Sequence, residues 1–79
     1  GINSSIVDVR LIMGTALKCF ATGFIICHNH PSGNLNPSRE DKHITEKLKE
    51  AGKLLDIQMM DHLIITEDNY FSFADDGMI

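Results

Sequence analysis

The chain has 79 residues, 43% hydrophobic and 23% charged, with a formal net charge of −4 and a pI near 5.4. That length suits one small domain, and the composition is that of a globular chain rather than a disordered tail. The acidic balance argues against direct contact with DNA, and no apolar run approaches the roughly 20 residues needed to span a membrane.

The elements follow from periodicity. Residues 2–7, INSSIV, form a short β-prone piece. Asp8 then has the position of an N-cap, and Val9, Ile12, Met13, Ala16, Leu17 and Phe20 recur at the spacing of one helix face. The spacing predicts a helix near 9–22, closed by Gly23 as a C′ glycine. FIICH, near 24–28, is the kind of unbroken apolar run found in a central strand covered on both faces. Residues 29–37, NHPSGNLNP, form a loop by composition. A second helix is expected over 38–55, with an apolar stripe of Ile44, Leu48, Ala51 and Leu55. IQMMDHLIIT predicts a buried strand over 57–66, EDN a turn, and YFSFA a hairpin partner over 70–74. The order of strand, helix, strand, helix, strand, strand argues an α/β domain with a mixed sheet and flanking helices.

The cysteines, Cys19 and Cys27, are too few for a disulfide scaffold and lie in apolar segments. They read as reduced, buried residues of a cytoplasmic protein. No segment has the pattern of a signal peptide, and no membrane partner is expected. The start at Gly1 is what the C-terminal part of a longer protein would show.

Chemistry concentrates in CHNHPSGNLNPSRED, residues 27–41. In an extended segment His28 and His30 point the same way, at the C-terminal end of a strand, where open α/β sheets hold ligands. A polar strand end is the plainer account of two nearby histidines. Cys27 alternates to the opposite face. Ser38-Arg39-Glu40-Asp41 fits a capping box, which explains Ser38 fully. It explains Asp41 less well, because 100° per residue puts Asp41 in line with Ile44, Leu48 and Leu55, on the face that packs against the sheet. A carboxylate there needs a compensating partner. A metal on His28 and His30 would supply one, with a fourth position left open, as in catalytic zinc sites. Two imidazoles and a carboxylate also suit iron or manganese. His43 lies about 200° around the helix by the same arithmetic and is excluded as a surface residue.

His28-x-His30, seven residues, Ser38, two residues and Asp41 resemble the signature of the JAMM (MPN+ or JAB) metalloproteases. HNHPSGNLNPSRED, LLDIQMMDHLIIT and YFSFADDGMI are similar to the C-terminal domain of bacterial RadC-type proteins, over essentially the whole chain. The resemblance implies a cytidine-deaminase-like fold, zinc on His28, His30 and Asp41, and a catalytic Ser38 that steadies an oxyanion. It implies a zinc-dependent hydrolase acting on an amide or isopeptide bond of a peptide or protein, in a family that carries a DNA-repair label. It also implies a glutamate upstream of His28 as general base on the zinc-bound water. Residues 1–27 contain no glutamate, and Asp8 is their only acid. The expectation is therefore an N-terminally truncated JAMM domain, hydrolytically inactive alone, with the base in preceding sequence. The alternative is a DNA-repair-associated or protein-interaction module that keeps a structural metal without hydrolysis. PSGNLNP, with Pro31, Gly33 and Pro37, would form the rim. In DHLIIT, adjacent Asp61 and His62 face opposite ways, and His62 reads as a hydrogen-bonded structural histidine without a catalytic role. The contiguous His-Asn-His does not reproduce the spread ββα-metal arrangement of HNH nucleases. Homo-oligomer formation stays open.

Overall fold

The computed structural model describes residues 8–79, so the β-prone stretch at 2–7 lies outside the described residues. The elements are α1 (Val9–Lys18), β1 (Gly23–Asn29), α2 (Arg39–Leu55), β2 (Gln58–Ile65) and β3 (Tyr70–Ser72). The strands form one sheet in the order β1-β2-β3. β1 and β2 run parallel, β2 and β3 antiparallel, which gives the expected α/β fold with a mixed sheet.

Asp8 caps α1, its carboxylate accepting from the Arg10 N–H at 2.9 Å. The helix ends four residues short of the expected end, at Lys18 rather than residue 22. Phe20, with φ 53°, takes the left-handed position expected of a glycine. The N–H of Ala21 returns to the Ala16 carbonyl at 2.9 Å and that of Phe20 to Leu17 at 3.1 Å. These two bonds make a Schellman closure, and they hold Phe20 in a conformation that costs a non-glycine residue about 1–2 kcal/mol. The apolar stripe therefore stops at Ala16, and Leu17 and Phe20 face solvent. Gly23 is not the helix stop. It opens β1, where a Cβ would stand 3.1 Å from Met60 Sδ and 3.2 Å from the Gln58 carbonyl, so it lets β1 approach β2 closely.

Among the described residues β1 is covered on one face only, whereas the expectation was a strand buried on both. Phe24 and Ile26 pack into the core, while Ile25 is 54% exposed. Both cysteines are exposed as well, not buried: Cys19 lies just past α1 and Cys27 alternates to the open face.

α2 starts at its Ser38 cap and closes on Asp56, which takes the left-handed conformation at φ 58°. Its inward face runs through Asp41, Thr45, Leu48 and Gly52, with Ile44 and Ala51 at its flank. Leu55 falls off this stripe and is 42% exposed. Gly52 is needed for space, because a Cβ there would collide with the backbone carbonyl of Ile57. The core joins Met13 of α1, Leu48 of α2 and Met59 of β2, with Phe24 and Ile26 of β1 against them. Each such side chain contributes about 1.5–3 kcal/mol by leaving water.

β2 is not a regular strand. Phe24 pairs with Met59 but Ile25 pairs with Asp61, so Met60 is an extra residue on the β2 side. This bulge brings Met59 and His62, three apart in sequence, onto one face. Met59, His62 and Ile64 are all buried. β3 stops at Ser72 rather than residue 74, and Phe73, fully buried, follows it into a turn. Among the described residues no helix is long and apolar enough to cross a membrane.

Candidate metal centre

The site forms where the C-terminal end of β1 meets the N-terminal end of α2. β1 is assigned to Asn29, but the His30 N–H still bonds the Ile65 carbonyl at 3.0 Å. The ladder thus runs one residue further and keeps His28 and His30 on the same side. The chain turns at once, with the Gly33 N–H bonded to the His30 carbonyl at 3.0 Å. His30 Nδ1 lies 2.8 Å from the Asn34 carbonyl, so the rim loop holds the ring.

Ser38 and Asp41 form the capping box. The Asp41 N–H donates to Ser38 Oγ at 3.0 Å, and the Ser38 N–H donates to Asp41 Oδ2 at 2.8 Å. The same carboxylate also faces the histidines. Asp41 Oδ1 is 3.3 Å from His28 Nε2, and Asp41 Oδ2 is 3.3 Å from His30 Nε2. Capping and site formation are therefore not rival accounts of Asp41. One oxygen accepts the cap hydrogen bond, and that bond fixes the carboxylate where the imidazoles meet it.

The two Nε2 atoms are 2.9 Å apart, and one donor atom from each of His28, His30 and Asp41 lies within 4.8 Å of the others. The Asn34 carbonyl can only accept, so it calls for the proton of neutral His30 on Nδ1 and leaves the Nε2 lone pair aimed at the carboxylate. Three donor atoms converging at these distances could be satisfied together by one bound cation. Nitrogen and oxygen donors at about 2.0–2.2 Å from one ion are what zinc takes, so the residues fit a divalent metal.

Electrostatics agree with that fit. Burial alone would raise the Asp41 carboxyl, but the Ser38 N–H, the Ser38 side chain and the two histidines hold it below the ordinary carboxylate value. Burial pushes His28 below the usual imidazole value, opposed by Asp41 and reinforced by His30. The site thus favours charged Asp41 beside a neutral His28, the forms in which both ligate metal.

His62 is the residue whose importance the sequence did not disclose. It is 1% exposed, and its Nε2 lies 2.9 Å from His28 Nδ1. Its Nδ1 lies 2.7 Å from Thr45 Oγ1, and its ring stacks on Phe73. Burial, reinforced by His28 and opposed by Asp41 and Asp61, lowers its pKa to about 4. DHLIIT showed a histidine in an apolar strand, but nothing in it pointed to His28. Asp61, on the other side of the strand, accepts from Ser72 Oγ at 2.6 Å and from the Ala74 N–H at 3.0 Å, holding the turn after β3. His43 is exposed and stands apart from the cluster, and Cys27 is on the opposite face.

The sequence model of the RadC-like JAB domain matches residues 1–78. A UPF0758 protein of Flavobacterium johnsoniae is 59% identical over 78 residues, which is 99% of this chain and 34% of that protein. A UPF0758 protein of Clostridium perfringens is 47% identical over 79 residues, 100% of this chain and 35% of that protein. One of Thermotoga maritima is 45% identical over 73 residues, 92% of this chain and 33% of that protein. The chain spans about a third of the length of these curated relatives.

Proposed function

Since the chain belongs to the RadC-like JAB domain family, we propose that it is the metal-holding part of a zinc-dependent hydrolase that cleaves an amide or isopeptide bond. The observation that carries this reading is the meeting of His28 Nε2, His30 Nε2 and an Asp41 carboxylate oxygen at one point. When bound, the metal would supply Lewis-acid polarisation of a carbonyl and acidification of water.

The chain's own residues would divide the rest of the work. His28 and His30 hold the ion from the strand end, and Asp41 holds it from the helix. Ser38 Oγ accepts from the Asp41 N–H, which leaves its hydroxyl proton free to donate to an oxyanion. The N-terminus of α2 adds the positive end of its dipole on the same side. Asp8, the only acid before His28, is taken up by α1 and Arg10, so the proton acceptor would come from preceding sequence. Without that base, hydrolysis should be slower by about 10²–10⁴-fold.

Metal uptake tests the first part. The chain should bind one zinc ion, and Asp41→Ala or His28→Ala should abolish high-affinity uptake in competition with a chromogenic chelator. Unchanged uptake in both variants would sink the reading. Chelator-sensitive amidase activity in a protein extended at its N-terminus, absent from this chain alone, tests the second part.

The missing glutamate also supports a second reading, a module with a structural metal and no hydrolysis. An extended protein that binds zinc but cleaves no peptide in a panel would favour it. The net charge of −4 speaks against DNA contact by this domain, and a salt-dependent DNA titration would check that.

A further inference from the structure

We propose that Thr45 and His62 are positioning residues, a relay that fixes the proton of His28 on Nδ1 and so turns its Nε2 lone pair toward His30 and Asp41. The relay's purpose rests on the metal-site reading above, but the proton placement can be read without any metal.

The placement follows from the partners one after another. Thr45 Oγ1 lies 2.8 Å from the Asp41 backbone carbonyl, one turn back in α2, and a carbonyl can only accept. The hydroxyl proton is therefore committed to that carbonyl. Thr45 Oγ1 must then accept on its other contact, 2.7 Å from His62 Nδ1, which puts a proton on His62 Nδ1. His62 is 1% exposed and is bonded on both nitrogens to neutral partners, so it is the neutral ring with one proton. Its Nε2 is then an acceptor, and the atom 2.9 Å away, His28 Nδ1, must donate. Neutral His28 carries its one proton there, and Nε2 is left bare at the meeting point. Each step removes one freedom. The helix carbonyl fixes the threonine, the threonine fixes His62, and His62 fixes both the tautomer and the rotation of the His28 ring.

The result is an outer hydrogen-bond partner for a candidate ligand, anchored on the helix that also supplies Asp41. Such partners typically contribute 10–100-fold in metal affinity. Ile26 and His62 face each other across the parallel ladder, which sets His62 one step back along the sheet from His28. The bulge at Met60 is what turns His62 to that side.

Long-range proton–nitrogen NMR of the histidine rings in the metal-free full chain at neutral pH, with a zinc competition titration beside it, tests the proposal. The unsubstituted chain should show both His28 and His62 protonated on Nδ1. Thr45→Val, isosteric but without the hydroxyl, should release His62 to its other tautomer and raise the Nε2-protonated fraction of His28. It should also weaken zinc binding by about 10–100-fold. Thr45→Ser, which keeps the hydroxyl, should preserve both readouts. His62→Gln, whose amide oxygen can take the His28 proton, should hold more affinity than His62→Leu. Leu48→Ala separates fold from relay, because it weakens the core without touching any of these hydrogen bonds. A folded Thr45→Val protein with unchanged ring tautomers overturns the proposal, as does finding His28 protonated on Nε2 in the unsubstituted chain. So does a zinc affinity that falls as far in folded Leu48→Ala as in Thr45→Val. If the unsubstituted chain takes up no zinc, the metal reading fails by itself, and the tautomers still decide the relay.

Discussion

The same elements, β1, α2 and β2, build two different environments at their two ends. Near the start of β1, Phe24, Leu48 and Met59 meet with Met13 of α1 in a cluster of apolar side chains. Further along β1 and β2, and one to two turns back along α2, the corresponding positions are His28, His62, Thr45 and Asp41. There the contact is a run of polar contacts from 2.7 to 3.3 Å, hydrogen bonds from Thr45 through His62 to His28 and then the meeting of the two Nε2 atoms with the Asp41 carboxylate. Apolar contact is non-directional and depends on the area removed from water. The polar end depends on which atom carries each proton, and a wrong tautomer leaves a buried donor facing a donor. The apolar end should therefore govern how stable the fold is, and the polar end what the fold can hold.

The largest expected effect is at the apolar end. Leu48→Ala removes a fully buried side chain and should cost about 2–5 kcal/mol in denaturant unfolding. A loss under about 1 kcal/mol would mean that the core collapses around the gap, and the contrast between the two ends would weaken.

The next effect belongs to the polar end and appears as pH dependence in the metal-free protein. His62 has a folded pKa of about 4 against an ordinary value of 6.5, so between those values the unfolded chain binds more protons than the folded one. Its contribution is complete above pH 6.5 and is lost as pH falls toward 4. At 1.36 kcal/mol per pKa unit, the total is about 3 kcal/mol. His28, also held below its ordinary value, acts with the same sign. Stability that stays flat from pH 7 to pH 4.5 would contradict a neutral, buried His62.

Ser38→Ala should cost about 1 kcal/mol through loss of the α2 cap, read as a shift in the denaturant midpoint. Ser38→Thr, which keeps an oxygen for the Asp41 N–H, should recover most of it. The smallest effect marks the outside of the comparison. Leu54 is 86% exposed, and Leu54→Lys should change stability by less than about 0.5 kcal/mol. A larger loss would show that this face is covered in solution.

The parts of this architecture that were legible in the sequence are local. The capping box at Ser38 and Asp41 depends on residues three apart, and it stands as expected. The shared side of His28 and His30 depends on strand alternation, which the ladder preserves through His30. At the end of α1 a different local closure replaced the expected one, since Phe20 is exposed and the bonds that hold it return to Ala16 and Leu17 of the same helix. Helix α1 stopped at Lys18 because Phe20 accepted a left-handed conformation that a backbone-only argument gives to glycine. Gly23, assigned that task from sequence, was needed instead for the approach of β1 to β2.

Sequence by itself determined the order and type of the described elements, the helix N-caps at Asp8 and Ser38, and the sides of strand and helix on which His28, His30 and Asp41 lie, because each arises from spacings within one or two turns of chain. The tertiary structure alone decided that His62 reaches His28 across 34 residues and Thr45 across 17. It also decided that Gly52 lies under the Ile57 carbonyl and that Met60 bulges. In IQMMDHLIIT a strict alternation would put Met59 and His62 on opposite faces. A run of apolar residues carries no mark of where one residue is skipped, since every one of them tolerates either face. Only pairing with β1 fixes the place of the skip, and the skip turns His62 toward His28.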